Sequence, residues 1–338
     1  MITKLQIDEF NKISELLKFD LKGKSFLITG ANGLIGSYLV DYLDFIGVKV
    51  YAMSRSINKL QKRFKNKTNV ELIEQDLNKP LNLNFSFDFI IHTASNSHPL
   101  AFSKDPVGTM KTNLFGTINL LEHIKNTRGK FLYLSTGEIY GNNIDHDFTE
   151  DDLGIVDTKI ARSCYPESKR AAETLCISYN AQFGIDLNIA RLCYVYGPTI
   201  TDDNSRADAQ FLRKALDGDD IILKSKGEQL RTYCYVADCV YALLYIVLYG
   251  EKTQVYNIAN PDSIVSVAQY AKTLAGIANV SLKFELPDEI EAKGYSKQAD
   301  SILSAQKLIS LGWKPFYNIE QGLKNTYKIK KELECLKV

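Results

Sequence analysis

Residues 24–47 read KSFLITGANGLIGSYLVDYLDFIG. Phe26-Leu27-Ile28-Thr29 is an apolar run with the length of a buried strand, and it breaks at Gly30. Gly33 and Gly36 follow at intervals of three, and an apolar helical pattern (Leu34, Ile35, Leu39, Val40, Leu43) starts inside the glycine stretch. Glycines let a backbone turn sharply and approach phosphates, and a helix N-terminus adds N–H groups and positive potential. Strand, glycine turn and helix therefore make a dinucleotide pyrophosphate site, with Gly30, Asn32, Gly33, Leu34, Ile35 and Gly36 as its residues. A strand–helix turn without a ligand is the rival reading, and the flanking elements weigh against it.

Working outward, residues 48–53 form a second strand ending in Ser54-Arg55-Ser56. An acid at that end would bind the ribose 2′-hydroxyl of NAD. This chain has none there, and Arg55 can instead meet a 2′-phosphate, so NAD and NADP both stay open. Further strands are expected at 70–73, 87–92, 130–135 and 187–192, separated by helical patterns that include 106–127 and 166–183. Alternating strands and helices imply an α/β fold, a Rossmann-type doubly wound parallel sheet. An extra helix over residues 1–20 precedes it.

Beyond Gly197-Pro198 the rhythm changes. A polar loop leads to a helix near 207–217, strands at 221–223 and 232–236, and a strand at 255–258 back in the main sheet. Helix 264–277, strand 281–285 and the tail from Ser301 complete a smaller α+β lobe. The expected division is residues 1–197 plus about 235–260 for the dinucleotide, and 198–234 with 261–338 for the substrate.

The 338 residues hold 41 Lys+Arg against 40 Asp+Glu, a net charge of +1, which gives no bias toward nucleic acid or membrane. The N-terminus lacks the apolar core of a signal peptide, and the longest apolar run, Val240 to Tyr249, is too short to span a bilayer. The cysteines (164, 176, 193, 234, 239, 335) show no C-x-x-C pair and no His at ligand spacing. They read as thiols in a reducing cytoplasm, with no metal site.

Tyr165 and Lys169, four apart at a helix start, share one face. An ammonium near a phenol favours the phenolate and makes a proton acceptor usable near neutrality. The fifth strand ends in Ser135-Thr136-Gly137-Glu138-Ile139-Tyr140-Gly141, so Thr136 and Glu138 reach the same crevice beyond the strand ends.

With these pieces on the page, the chain resembles the extended short-chain dehydrogenase/reductases, the NAD-dependent nucleotide-sugar epimerase/dehydratase family, over essentially its whole length. The matching residues are G30-A-N-G33-L-I-G36, Asp76-Leu77, His92-Thr93-Ala94-Ser95, Asn113 in KTNLFGT, STGEIYG, Tyr165-Pro-Glu-Ser-Lys169 and Arg191 with YGP at 196–198. Arg231-Thr232-Tyr233, Tyr256-Asn257-Ile258 and Leu311-Gly312-Trp313 also fit. Within the family, DPVGTMKTNLFGTINLL and SRADAQFLRKAL…EQLRTYCYV most resemble UDP-glucuronate decarboxylases.

The resemblance implies a nucleotide-diphosphate sugar, a UDP-sugar first, oxidised transiently at C4. It implies that Tyr165 is the proton acceptor, that Lys169 lowers its pKa and binds the nicotinamide ribose, and that Thr136 and Glu138 meet the sugar. Ser54, Arg55, Asp76, Leu77, Thr93, Ala94, Ser95 and Asn113 join the glycines, Tyr165 and Lys169 around NAD. Ser97, Arg206 and Arg231 join Thr136 and Glu138 around the substrate. A homodimer is expected.

The departures matter as well. Gly137 stands where decarboxylases carry Ser and 4,6-dehydratases carry a proton-donating Asp. Ser296-Lys297-Gln298-Ala299-Asp300 stands where decarboxylases have Arg-Lys-Pro, so their carboxylate arginine is missing. His92 and His98 read as packing residues, Arg206 equally as a surface residue, and Glu138 equally as a backbone hydrogen-bonding partner. A decarboxylase is the leading expectation, with 4-epimerase, 4,6-dehydratase and 4-keto reductase beside it. A non-catalytic nucleotide binder is the alternative of another class.

Overall fold

The computed structural model describes residues 2–127, 129–141, 146–285 and 300–335. The apolar run becomes β1 (Ser25–Thr29), buried beyond its first residue. It is followed in chain order by β2 (Lys49–Ser54), β3 (Val70–Glu74), β4 (Phe89–His92), β5 (Lys130–Thr136) and β6 (Asp186–Leu192). Short strands β7 (Tyr194–Tyr196), β8 (Ile221–Leu223) and β9 (Leu230–Tyr235) precede β10 (Val255–Ile258), and β11 (Ile264–Ser266) and β12 (Leu282–Phe284) come last. One seven-stranded sheet has the order β3-β2-β1-β4-β5-β6-β10, and every neighbouring pair in it is parallel. The strand order reverses direction between β1 and β4, and a crevice opens beyond the carboxyl ends of the strands at that point.

The helices are α1 (Lys4–Leu17), α2 (Leu34–Phe45), α3 (Ile57–Phe64), α4 (Pro99–Lys104), α5 (Pro106–Ile124) and α6 (Cys164–Phe183). Then come α7 (Ala207–Asp217), α8 (Val236–Tyr249) and α9 (Val267–Ala278), with Gln306–Leu311 and Ile319–Cys335 closing the described chain. Apolar clusters lie on both faces of the sheet, as a parallel sheet requires. Beside it, β9 pairs antiparallel with β11 and parallel with β7, and β8 pairs with β12.

Three boundaries differ from expectation for local reasons. The long helix after β4 is preceded by a separate α4, because Pro106 at the start of α5 has no N–H to continue a helix. The expected helix at 264 is first a strand, β11; Ser266 then caps α9 by accepting the Gln269 N–H at 3.0 Å. The strand expected from Phe87 starts at Phe89, because the Asp88 carboxylate turns back to accept from the Ser25 N–H and Lys24.

The extra helix α1 is tied in from both ends. Thr3 and Gln6 form a capping box. Phe10 packs edge-on against Tyr38 and Tyr42 of α2, with ring centroids 5.3 and 5.7 Å away. Buried Glu9 accepts from Tyr38, from Tyr235 on β9 at 2.8 Å, and from Asn325 of the last helix at 2.8 Å. One carboxyl thus joins four elements, and burial pushes its pKa up to about 7.

Candidate active site

A single cleft of about 920 Å³ runs from the glycine turn to the β7–β9 sheet. At its first end Gly30 has φ +63°, and a Cβ there would stand 2.8 Å from the main chain of Ala94. A Cβ on Gly36 would come within 2.5 Å of the Gly30 carbonyl. Only glycines let β1, α2 and the chain after β4 close this tightly. Gly33 begins α2 with no side-chain cap, so the first-turn N–H groups are left for a ligand. Gly30, Asn32, Gly33, Leu34, Ile35 and Gly36 all line the cleft.

At the end of β2, Asn32 Nδ2 donates to Ser54 Oγ at 2.9 Å, and Arg55 is exposed on the cleft wall. Lys59 of α3 also lines this end and escaped the sequence reading. Asp76 and Leu77 follow β3; Asp76 Oδ1 accepts the Asn78 N–H at 3.0 Å. After β4, Thr93 Oγ1 donates to the Thr29 carbonyl at 2.6 Å, fixing the wall formed with Ala94, Ser95 and Ser97.

Asn113 is different. It is buried behind the wall and lines no part of the cleft. Its Oδ1 accepts from Ser95 at 2.7 Å and its Nδ2 donates to Ser168 at 2.8 Å, so it couples the β4 loop to α6. His92 is buried, its Nδ1 2.8 Å from Thr29 Oγ1, whereas His98, read as a packing residue, is half-buried on the cleft wall with Nδ1 3.1 Å from Ser205 Oγ.

The part of the cleft beyond β5 brings Thr136, Glu138, Tyr165 and Lys169 onto one wall. Thr136 hydrogen-bonds the phenol of Tyr165, and its Oγ1 accepts the Glu138 N–H at 3.2 Å. Tyr165 is buried and stacks on Phe102 with centroids 5.4 Å apart. Burial first, and the Glu138 charge second, push its phenol well above the ordinary tyrosine range. The expected depression by Lys169 is corrected here. The ammonium donates to the Leu134 carbonyl at 2.6 Å and lies 4.8 Å from the Tyr133 ring centroid. Burial pulls the Lys169 pKa down to about 7, so it is itself a weakened cation.

Among the described residues the Glu138 carboxylate bonds no backbone group; it accepts from Arg162 at 2.6 Å. Arg162 was missed because a lone arginine in a loop carries no periodic or motif signal. In the lobe, Arg206 donates to Asp208 at 3.1 and 2.7 Å and to the Val195 carbonyl at 3.1 Å. In this pairing its side chain is 21% exposed and lines the cleft. The Arg206 and Arg231 guanidiniums lie 5.8 and 5.2 Å from the Tyr194 ring centroid. At Gly137 a Cβ would stand 2.9 Å from both methyls of Leu303, which fill that space. The segment expected to lack the carboxylate arginine, residues 296–299, lies outside the described residues.

No group of three His, Cys, Asp or Glu side chains among the described residues is arranged to hold a metal, and none of the described helices is long and apolar enough to cross a membrane.

Comparison with known proteins gives a consistent result. Residues 26–259 match the NAD dependent epimerase/dehydratase family. The chain is 34% identical to UDP-glucuronic acid decarboxylase 5 of Arabidopsis thaliana over 312 residues, covering 90% of this chain and 89% of that one. It is 33% identical to UDP-glucuronic acid decarboxylase 1 of Xenopus tropicalis, over 92% of this chain and 73% of the relative. The solved UDP-glucose 4-epimerase of Thermotoga maritima, in complex with UDP-glucose, superposes with a TM-score of 0.77 at 25% identity, over 92% and 99% of the two chains.

Proposed function

This chain belongs to the NAD dependent epimerase/dehydratase family and is an NAD-dependent nucleotide-sugar enzyme; from that premise we propose that it decarboxylates UDP-glucuronate through a 4-keto intermediate. The observation that carries the reading is that Tyr165, hydrogen-bonded to Thr136, is buried in the same cleft that the uncapped α2 N-terminus lines.

The residues fit the cofactor. The first-turn N–H groups of α2 can hold its pyrophosphate, while Ser54, Asp76 and Leu77 bound its adenosine end and Tyr165 and Lys169 its ribose near the reacting carbon. NAD, when bound, supplies the oxidation of the sugar at C4 by accepting a hydride. Tyr165 takes the proton of the 4-hydroxyl, and Thr136 orients that oxygen. Burial holds this phenol above its ordinary range, and Lys169, one helical turn on and held on the Leu134 carbonyl, is assigned to the nicotinamide ribose rather than to lowering it.

A 4-ketone makes the C6 carboxylate a β-keto acid. The C5–C6 bond breaks, carbon dioxide leaves, and the electron pair passes to the C4 oxygen as an enolate. Tyr165, now protonated, donates to that oxygen together with Thr136. Gly137 supports decarboxylation over dehydration: it offers no acid to expel a 6-hydroxyl, and Leu303 occupies the adjoining space. We assign the uridine diphosphate to the lobe of residues 198–234 and 261–338, near Arg206 and Arg231.

A homodimer is part of the same reading, supported by Val107, Met110 and Phe115 of α5 and Ile177 of α6, all exposed. Light scattering on the purified protein tests the dimer. The reaction is tested by incubating NAD-loaded protein with UDP-glucuronate and identifying the products by mass spectrometry. Loss of carbon dioxide to a UDP-pentose or its 4-ketone is expected; turnover of a neutral nucleotide hexose with an inert UDP-glucuronate would overturn it.

A further inference from the structure

Arg162 carries a charge that the chemistry above leaves unused. It lies in the short turn Ala161–Ser163 that leads into α6. Its Nη2 donates to Glu138 Oε2 at 2.6 Å, and its guanidinium sits 4.2 Å from the Phe102 ring centroid. Phe102 in turn stacks on Tyr165. The same aromatic ring therefore contacts this cation and the reacting tyrosine, and Arg162, Glu138 and Tyr165 all line the cleft.

The neighbouring cations are committed differently. Lys169 is buried on the Leu134 carbonyl, and Arg206, half-buried, is paired bidentately with Asp208 and bonded to the Val195 carbonyl. The Arg162 side chain is 44% exposed, and among the described residues it donates to Glu138 through Nη2, with Nε and Nη1 available as donors. An ion pair this exposed is weak, so an incoming anion can compete for the guanidinium. Glu138 by itself would repel a negatively charged sugar. A guanidinium in contact with it cancels that repulsion and still offers a planar fork that matches a carboxylate.

We propose that Arg162 recognises the carboxylate of an acidic sugar in this cleft, sharing its guanidinium between that carboxylate and Glu138. The proposal rests on the UDP-glucuronate reading and names the residue that selects the acid over the neutral hexose.

The test is calorimetric titration of the NAD-loaded, full-length protein with UDP-glucuronate and with UDP-glucose, for the wild type, Arg162→Gln and Arg162→Lys. The wild type is expected to prefer the acid. Arg162→Gln should lower that preference by about tenfold to hundredfold, the worth of one charge-assisted hydrogen-bonding group, and Arg162→Lys should restore part of it. In turnover, Arg162→Gln should raise KM for UDP-glucuronate far more than it lowers kcat. A wild-type preference that Arg162→Gln leaves intact overturns the assignment of Arg162 while the decarboxylase reading stands. A wild type that binds both sugars alike overturns that reading itself, and the inference with it.

Discussion

Lys169 Nζ donates to the Leu134 carbonyl at 2.6 Å, two residues before Thr136 on the same strand. The ammonium is thus committed to the strand that carries Thr136. Replacing Lys169 by Met keeps the length and removes the charge. The folded protein holds this ammonium at a pKa of about 7 against an ordinary 10.5. The unfolded chain therefore binds more protons between those values, and stability rises with pH across that window. The wild type should gain stability from pH 7 to pH 9 relative to Lys169→Met, read by thermal melts, and kcat of the variant should fall at least about a hundredfold.

Tyr165→Phe keeps the ring that stacks on Phe102 and loses only the bond to Thr136. We expect kcat to fall by about 10²–10⁴ with NAD content unchanged and a stability cost of about 1 kcal/mol. Near-normal turnover would remove Tyr165 from the mechanism.

Glu9 titrates at about 7 in the fold against 4.5 outside it. A carboxyl raised in this way contributes stability that is fully present below pH 4.5 and lost as pH rises to 7. Asp8, Asp238, Tyr38, Tyr235 and Tyr317 surround it, and Asp238, also raised to about 7, shares the trend. Glu9→Gln stays neutral throughout and should be more stable than the wild type at pH 7.5 by about 1–3 kcal/mol, with little difference at pH 4.5. Melts at the two pH values decide it.

Gly137→Ser places a Cβ 2.9 Å from both Leu303 methyls. A loss of about 1–3 kcal/mol is expected from the overpacking. Leu303→Ala in the same chain should recover part of it, so the two changes are non-additive. Additive losses would mean that Leu303 has room to move aside.

Arg55 and Lys59 line the cleft beside Ser54, and the Glu74 carboxylate at the end of β3 accepts the Ile57 N–H at 3.0 Å. No carboxylate from β2 faces a 2′-phosphate here. NADP should bind measurably, and Arg55→Ala with Lys59→Ala should weaken it about tenfold while sparing NAD. A strong NAD preference unaltered in the double variant would sink this expectation.

The sequence carried the parts of the fold that depend on local pattern. Glycine spacing located β1, the turn and α2, apolar runs located β8 and β10 to the residue, and α7 lies where a helix near 207–217 was expected. What it could not carry depends on partners distant in sequence. The capture of Lys169 by Leu134 needs α6 laid against β5, a relation between residues 35 apart. Arg162 became visible only when Glu138 and Phe102 were folded beside it. Asn113 was assigned to the cleft by motif, whereas its hydrogen bonds place it between Ser95 and Ser168.

The last strand of the main sheet has a consequence for synthesis. β10 pairs with β6, yet residues 193–254 lie between them in the chain. As the protein emerges from the ribosome, the outer edge of β6 stays bare until that whole stretch has been translated. Bare parallel edges invite pairing with other chains. Nascent fragments ending between 193 and 254 should therefore be the aggregation-prone products of this gene, and the sheet cannot be rescued by trimming the lobe away, because the strand that seals it is encoded on the far side.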